Sequence, residues 1–368
     1  MELTPAEVRA FAFNGEPQGV LPEPGGHINQ SYRVRCTSPA GERVYLLQRL
    51  NAQVFPDGHA VMANISAVTR HVRAAPPSRS AHLPQQPELV LVPTLSGRQW
   101  HVSPDGAIWR AFPYLPGTAI HAGTRDRRVA HAAGLAFGAF LQLLSDYAGP
   151  PLARSIPHFH DTPWYFDQLE KAASADIAGR GTRVATEIQI CQDNRCLLAE
   201  LPPGGSEGVP IRVTHNDAKA ANVLLDAHDG PLAVVDLDTV MPGSALSDVG
   251  DLLRSLASPT AEDEHDLAKV RAEPALVLAT LEGWFRGAGN VLSARERECA
   301  VLAGCVITLE QAVRFLTDFL QGDTYYGASD PEQNLRRTRT QLQLFQSLLA
   351  QRGALERAAG RLMTQVAP

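Results

Sequence analysis

The run HNDAKAANVLLD, residues 215–226, constrains the fold of this chain more than any other feature. It sets His215, Asp217 and Asn222 in the spacing H-x-D-x-x-x-x-N, and Asp236 follows fourteen residues beyond Asn222. The flanking runs IRVTH and LAVVDLD are short and rich in β-branched and apolar residues, which predicts a strand on either side. A strand–loop–strand arrangement brings three side chains to one edge: Asp217 in the loop, Asn222 as the chain leaves it, and Asp236 at the end of the second strand. Asn and Asp also collect in turns for purely local hydrogen-bonding reasons. Four polar residues in a fixed frame between apolar strands favour chemistry over that simpler account.

One carboxylate, one carboxamide and a second carboxylate, in that order, suit magnesium-dependent phosphoryl transfer. Moving a phosphoryl group from ATP to a hydroxyl requires metal ions on the phosphates, a carboxylate that orients the hydroxyl and takes its proton, and exclusion of water. Magnesium accepts hard oxygen ligands and keeps several waters, so a carboxylate and a carboxamide suffice as protein ligands. The expected roles are Asp217 as base and Asn222 and Asp236 as metal ligands. Lys219, two residues past the base, is placed to neutralise charge on the transferred group.

The 368 residues allow two or three structural units, with 44% hydrophobic and 20% charged residues, as in an ordinary soluble protein. A net charge of −6 gives no basic surface for nucleic acid or an anionic membrane. The five cysteines, Cys36, Cys191, Cys196, Cys299 and Cys305, are scattered and form no C-x-x-C pair, so free thiols in a reducing compartment are expected. The first residues, MELTPAEVRAFAF, lack the basic and apolar regions of a signal peptide, and no run reaches the ~18 apolar residues of a membrane span. A cytoplasmic monomer is the expectation.

Along the chain, the first third reads as strand-rich. The pair Gly25-Gly26 separates two β-prone runs, RVYLLQRL (43–50) reads as a buried strand, and ELVLVPT and GAIWRAF read as two more. A helix is predicted from near Asp57, with Met62, Ile65, Val68 and Val72 on one face. FPYLPG (112–117) is a Pro/Gly connector and the candidate hinge. Beyond it Val129, Ala133, Ala136, Phe137, Phe140, Leu141 and Leu144 form an apolar helical stripe. Two helical segments follow within 163–201, and amphipathic helix fills most of 245–365. The predicted architecture is α+β: a β-rich lobe over 1–112, a hinge at 113–118 and a larger, mostly helical lobe over 119–368.

The motif residues, taken with several further blocks, resemble the aminoglycoside-phosphotransferase type of protein-kinase-like enzyme, and more closely the N-acetylhexosamine 1-kinases. The blocks are GGHIN (25–29), YLLQRLNAQVFPD (45–57), HFHDTP (158–163), RVTHNDAKAANVLLD (212–226), DLDTVMPG (236–243), DVGDLLR (248–254), RFLTDFLQGDTYY (314–326) and NLRRTRTQ (334–341). The resemblance implies a bilobal protein-kinase-like fold and transfer of phosphate from ATP, with Mg2+, to the anomeric hydroxyl of N-acetylglucosamine or N-acetylgalactosamine. It also implies that Arg314, with Glu310 and Tyr325, lines the sugar pocket. There a guanidinium binds acetamide or hydroxyl oxygens and an aromatic face stacks on the sugar.

Three further expectations attach to the first lobe and the segments around the motif. Gly25 and Gly26 sit where kinases of this fold cover the ATP phosphates with backbone N–H groups, an ordinary hairpin turn being the alternative, and His27 and Asn29 are expected to face the sugar. Protein kinases pair a strand lysine with a helix glutamate, but YLLQRLN offers Gln48 and Arg49, and the following helix has no acid. Arg49 is therefore the candidate phosphate contact. Asp248 is expected to buttress the catalytic loop by hydrogen bonds, and Asp238 to assist metal or sugar. In HFHDTP, Asp161 or Thr162 is expected to cap a helix with Pro163 at its first turn, rather than join His158 and His160 in a metal site. Other acceptors of the same fold, such as an aminoglycoside, an amino alcohol or another hexose, remain the alternative within the enzyme class. A nucleotide-binding pseudokinase is the alternative outside it.

Overall fold

The structure is a computed structural model that describes residues 5–23, 28–79, 81–120 and 123–365. The chain starts with a short helix, α1 (Pro5–Arg9), and an antiparallel sheet of five strands. These are β1 (Glu16–Pro22), β2 (Gln30–Ser38), β3 (Gly41–Arg49), β4 (His101–Val102) and β5 (Ile108–Pro113), in the order β1-β2-β3-β5-β4. Helix α2 (Gly58–Ala74) starts at Asp57, whose side chain accepts the Ala60 N–H at 3.0 Å and so satisfies an orphan donor of the first turn. Its stripe Val61, Met62, Ile65, Val68 and Val72 is buried as the periodicity requires.

The sheet separates two apolar clusters. Val34, Cys36, Tyr45, Leu47, Trp109 and Ala111 pack with Val8 and Phe11 on one face. Ile108 and Phe112 face the other way, onto α2 and the main core. That alternation follows from the two-residue period of a strand. The run ELVLVPT does not form the strand its composition suggests. Pro84 and Pro87 precede it and Pro93 falls within it, a 3-10 turn occupies Gln86–Glu88, and among the described residues it pairs only through a bridge from Thr94 to Phe11 and the bond from Val92 N–H to the Ala111 carbonyl.

After the connector comes β6 (Thr118–Ala119), then α3 (Arg127–Leu143), α4 (Thr162–Ala175) and α5 (Ala185–Asp193). The catalytic-loop region holds four short strands: β7 (Arg212–Thr214), β8 (Val223–Leu225), β9 (Pro231–Val234) and β10 (Met241–Gly243). β7 pairs with β10, while β8 pairs with β9 and β6, so the two runs flanking the motif lie in separate small sheets rather than one hairpin. The remainder is helical: α6 (Ala245–Leu256), α7 (Pro274–Ala288), α8 (Ala294–Glu298), α9 (Ala300–Leu320) and α10 (Gln333–Gln365).

Helices α3 and α7 touch backbone to backbone. A Cβ on Gly134 would lie 2.1 Å from the Thr280 carbonyl oxygen, and one on Gly283 would lie 2.0 Å from that of His131. Helix α9 has the length and apolarity of a membrane span, yet 89% of that window is buried inside the protein, where it forms the centre of the helical core. Cys36, Cys191, Cys299 and Cys305 are buried and Cys196 is exposed, all five as free thiols.

Candidate functional site

The loop between β7 and β8 is held in a conformation that its own sequence does not favour. Asn216 lies in the left-handed region at φ 64°, immediately before Asp217, and Asp236 does the same at φ 61° after β9. Short polar residues tolerate that region best, but it still costs free energy that the surroundings must supply. The supports are numerous. Asp248, buried in the first turn of α6, accepts the His215 N–H at 3.0 Å and the Asn216 N–H at 2.7 Å. The Asn216 carboxamide donates to the Thr239 and Met241 carbonyls, and the Thr239 hydroxyl donates to the His215 carbonyl at 2.7 Å. His215 Nε2 meets the Val235 carbonyl at 2.9 Å, and Ser255 Oγ accepts the Ala220 N–H. Asp248 thus buttresses the loop, and the cap of α6 is Ser244.

Asp217, Lys219, Asn222 and Asp236 come together. Lys219 Nζ donates to Asp217 Oδ2 at 2.8 Å, and Asn222 Nδ2 donates to the same oxygen at 3.0 Å and to the Asp217 carbonyl at 2.9 Å. Asp217 and Lys219 keep 28% and 35% of their side-chain surface in contact with solvent, so both are reachable by a ligand. Burial by itself raises the Asp217 carboxyl, but the Lys219 ammonium outweighs it, helped by His215 and Asn222, and holds it well below the usual carboxylate range. Lys219 is in turn kept protonated beyond its usual range: burial opposes its charge, and Asp217 and Asp236 more than restore it. Asp236 behaves in the opposite way. Its carboxyl is reached by solvent, yet protein crowds it, and burial together with the Asp238 and Asp217 charges pushes it up to about 6 against the pull of Lys219.

Three oxygen groups at this edge receive no hydrogen bond from the described residues: Asp217 Oδ1, Asn222 Oδ1 and the Asp236 carboxylate. Hard oxygen donors left open beside a carboxyl of raised pKa fit a divalent cation such as magnesium, with phosphate and water completing its shell. Among the described residues no group of three or more His, Cys, Asp or Glu side chains is arranged to hold a metal. The side chains able to hold such an ion here are the Asp236 carboxylate and the Asn222 carboxamide.

A second cluster is built on α9 and joined to the first. Glu310, 1% exposed, accepts the Thr162 hydroxyl at 2.5 Å and contacts His160 Nδ1 at 2.9 Å. His160 Nε2 meets the Asn216 carbonyl at 2.8 Å. Both ring nitrogens thus face acceptors, which calls for a proton on each. Burial works against that charge, but Glu310 and the Asn216 carbonyl raise the His160 pKa overall. One turn along α9, the Arg314 guanidinium sits 4.9 Å from the centroid of Tyr165, 5.3 Å from Phe159 and 5.5 Å from Tyr326. It donates to Gln311 Oε1 at 3.2 Å, and Gln311 Nε2 donates to Tyr326 Oη at 3.1 Å. Tyr325 lies at the rim, 49% exposed and edge-on to Tyr326. Glu310, Arg314 and Tyr325 are therefore near neighbours, and Glu310 connects through His160 to the residue before Asp217.

The first lobe is arranged differently from the sequence expectation. Gly25, Gly26 and His27 lie outside the described residues. Arg49 makes no contact with the catalytic loop: it shares the parity of Leu47, so it projects from the face of the sheet that carries Leu47 and pairs with Asp105 at 3.3 Å. Gln48 and Arg110, cross-strand partners in the register of β3 and β5, project from the other face, where Arg110 reaches Asp238. Asn29 meets neither Glu310 nor Arg314; its Nδ2 donates to Asp238 Oδ2 at 2.6 Å and its Oδ1 accepts the Asn51 N–H at 3.0 Å. The second oxygen of Asp238 is taken by Arg110. Asp238 is thus fully engaged by protein. His160, Thr162 and Arg110 had no signal in local spacing. His160 sits beside a helix cap that explains its neighbourhood: Asp161 accepts the Trp164 N–H as N-cap of α4, with Pro163 in the first turn.

The fold is shared with solved structures of known enzymes. A solved aminoglycoside phosphotransferase from Alicyclobacillus acidocaldarius matches 100% of this chain and 97% of its own, at 13% identity and a TM-score of 0.55. A microcompartment-associated aminopropanol kinase matches over 95% of this chain and 97% of its own, at 15% identity and a TM-score of 0.61. A spectinomycin phosphotransferase in complex with ADP and spectinomycin matches over 90% of this chain and 94% of its own, at 12% identity and a TM-score of 0.54. At such identities the likeness is one of fold, the protein-kinase-like α+β architecture with a β-sheet N-terminal part and a helical C-terminal part. The family assignment comes from the sequence: residues 20–289, well over half of the chain, match the model of one family, and the chain belongs to the phosphotransferase enzyme family.

Proposed function

We propose that this phosphotransferase uses ATP and Mg2+ to phosphorylate the anomeric hydroxyl of an N-acetylhexosamine, N-acetylglucosamine or N-acetylgalactosamine. The observation that carries the acceptor assignment is the Arg314 pocket and its chain of contacts through Glu310 and His160 to the carbonyl beside Asp217. A guanidinium stacked among Tyr165, Phe159 and Tyr326 presents planar donors to acetamide and hydroxyl oxygens, next to rings that match a sugar face.

Asp217 Oδ2 is fixed by Lys219 and Asn222, which leaves Oδ1 to accept a hydrogen bond from the acceptor hydroxyl. A carboxylate held at low pKa is a weak base, so it orients the hydroxyl and takes the proton late, as the acceptor oxygen bonds to the γ-phosphorus and the bond to the ADP oxygen breaks. Lys219 supplies positive charge beside the transferring group. Asn222 and Asp236 would hold Mg2+, which when bound neutralises charge on the phosphates. The ADP-complexed relative of the same fold supports the choice of nucleotide.

The related folds also include kinases named for aminopropanol, ethanolamine and choline. An ammonium-bearing acceptor requires an acidic subsite. The carboxylate beside Arg314, Glu310, is 1% exposed and already engaged by His160 and Thr162, and the Arg314 cation next to it, 11% exposed, opposes a second positive charge. The discriminating experiment is steady-state kinetics of Arg314→Lys. We expect a rise in acceptor KM of about tenfold or more with little change in KM for ATP; an unchanged acceptor KM removes Arg314 from the sugar pocket.

A further inference from the structure

In protein kinases an ion pair ties a strand lysine of the nucleotide-binding sheet to a glutamate on the following helix, and it must be in place together with the metal-binding aspartate. This chain has Gln48 and Arg49 on β3, and α2 contains no acid at all. Helix α2 is instead fastened through Asn64, whose Nδ2 donates to the Ala153 carbonyl at 2.8 Å and the Val240 carbonyl at 3.0 Å.

A different ion pair crosses between the sheet and the metal segment. Arg110 on β5 and Asp238 are 3% and 4% exposed, and they bond directly through Nη1 and Oδ1. Arg110 Nε donates to Gln48 Oε1 at 3.0 Å, and Gln48 Nε2 donates to Ser31 Oγ at 3.0 Å, so three neighbouring strands share the arrangement. Asp238 Oδ2 takes the Asn29 carboxamide, which also accepts the Asn51 N–H. Burying both charges costs several kcal/mol per ion before their attraction is counted. As a stabilising device, such a pair has no advantage over two packed apolar side chains.

Its position suggests what it does. Asp238 sits in the 3-10 turn Leu237–Thr239 that begins at Asp236, the residue held left-handed at φ 61°. The turn is fixed from the helical side by Thr239 and Asn216. Arg110 and Asn29 fix it from the sheet side.

We propose that Arg110 is a positioning residue: its buried ion pair with Asp238 locks the Asp236 turn to the nucleotide-binding sheet in a chain that lacks the lysine–glutamate pair. This rests on the phosphotransferase reading and is independent of which acceptor is used. The test is Mn2+ binding, followed by electron paramagnetic resonance in the presence of a non-hydrolysable ATP analogue. Arg110→Met alone leaves a buried carboxylate unpaired and endangers folding, so the informative protein is Arg110→Met combined with Asp238→Asn, which removes both charges and keeps the shapes. We expect a folded protein, by circular dichroism and thermal unfolding, with Mn2+ affinity about tenfold weaker and acceptor KM unchanged. Arg110→Lys, which keeps the charge but not the fork that reaches Gln48 as well, falls between wild type and the double variant. Mn2+ affinity within twofold of wild type in the folded double variant overturns the proposal. Failure of the phosphotransferase reading itself appears elsewhere, as wild-type protein that binds no Mn2+ with the nucleotide analogue.

Discussion

Replacing Asp236 by asparagine removes a charge from a site where three carboxylates converge, and the apoprotein gains stability as it loses activity. Burial and the neighbouring Asp238 and Asp217 push the Asp236 carboxyl up to about 6 from an ordinary 3.8. A rise of about 2 units corresponds to about 3 kcal/mol for a fully enclosed group. Solvent reaches this side chain, and screening reduces the figure to about 1 kcal/mol. Asparagine tolerates the left-handed backbone at 236 as well as aspartate does, so no conformational penalty offsets the gain. The sign with pH is fixed by the direction of the shift. The native state binds this proton more tightly than the unfolded chain, so the strain is absent below the unfolded value of about 4 and complete above about 6. Thermal unfolding without metal or nucleotide should show Asp236→Asn melting about 2 °C above wild type at pH 7.5, with the difference closing by pH 4. Adding Mg2+ and a non-hydrolysable ATP analogue should stabilise wild type much more than the variant. A variant that melts below wild type at pH 7.5, or keeps its advantage at pH 4, refutes the electrostatic picture of the site.

Asp217→Asn should lower kcat by a factor of about 10^2 to 10^4 while nucleotide binding, measured by calorimetry, is retained; near-normal turnover removes Asp217 as the base. The raised pKa of His160 contributes stability that is fully present below about 6.5 and is lost as pH rises through its native value. Urea midpoints of wild type should therefore fall as pH rises above about 6.5, and the fall should be absent in the paired variant His160→Gln with Glu310→Gln. Gly283→Ala forces a methyl group onto the His131 carbonyl between α3 and α7 and should cost about 3 kcal/mol or more, read as a large drop in denaturation midpoint; a loss below about 0.5 kcal/mol contradicts the close helix contact.

Much of the fold and part of the site is legible in the sequence. The stripe Met62, Ile65, Val68 and Val72 and the Asp57 cap define α2 because both are local patterns with a fixed period. Asp217, Lys219 and Asn222 are legible for the same reason, since they share one short loop, and Asp236 joins them because β9 pairs with β8, which sets Val235 against Asn222. Arg49 shows where the signal ends. Sequence distinguishes a strand from a helix but not which face of the strand meets the cleft, and one residue of phase exchanges Arg49 for Gln48. The Arg110–Asp238 and His160–Glu310 pairs span 128 and 150 residues, and no local spacing encodes contacts made only when distant elements pack. The prolines of ELVLVPT and its approach did carry a warning: they remove ladder donors and deny that run a regular strand.

The proposed reaction transfers phosphate from ATP to an acetamido sugar at its anomeric oxygen. The direct measurement is phosphorus NMR of products formed from ATP and Mg2+ with N-acetylglucosamine, N-acetylgalactosamine, glucose, galactose, choline and kanamycin in separate reactions. A new anomeric phosphate resonance with the two acetamido sugars, and none of comparable rate with choline or kanamycin, is the predicted result. Phosphate appearing on choline or kanamycin instead, with the sugars unchanged, contradicts the acceptor assignment and returns the Arg314 pocket to a structural role.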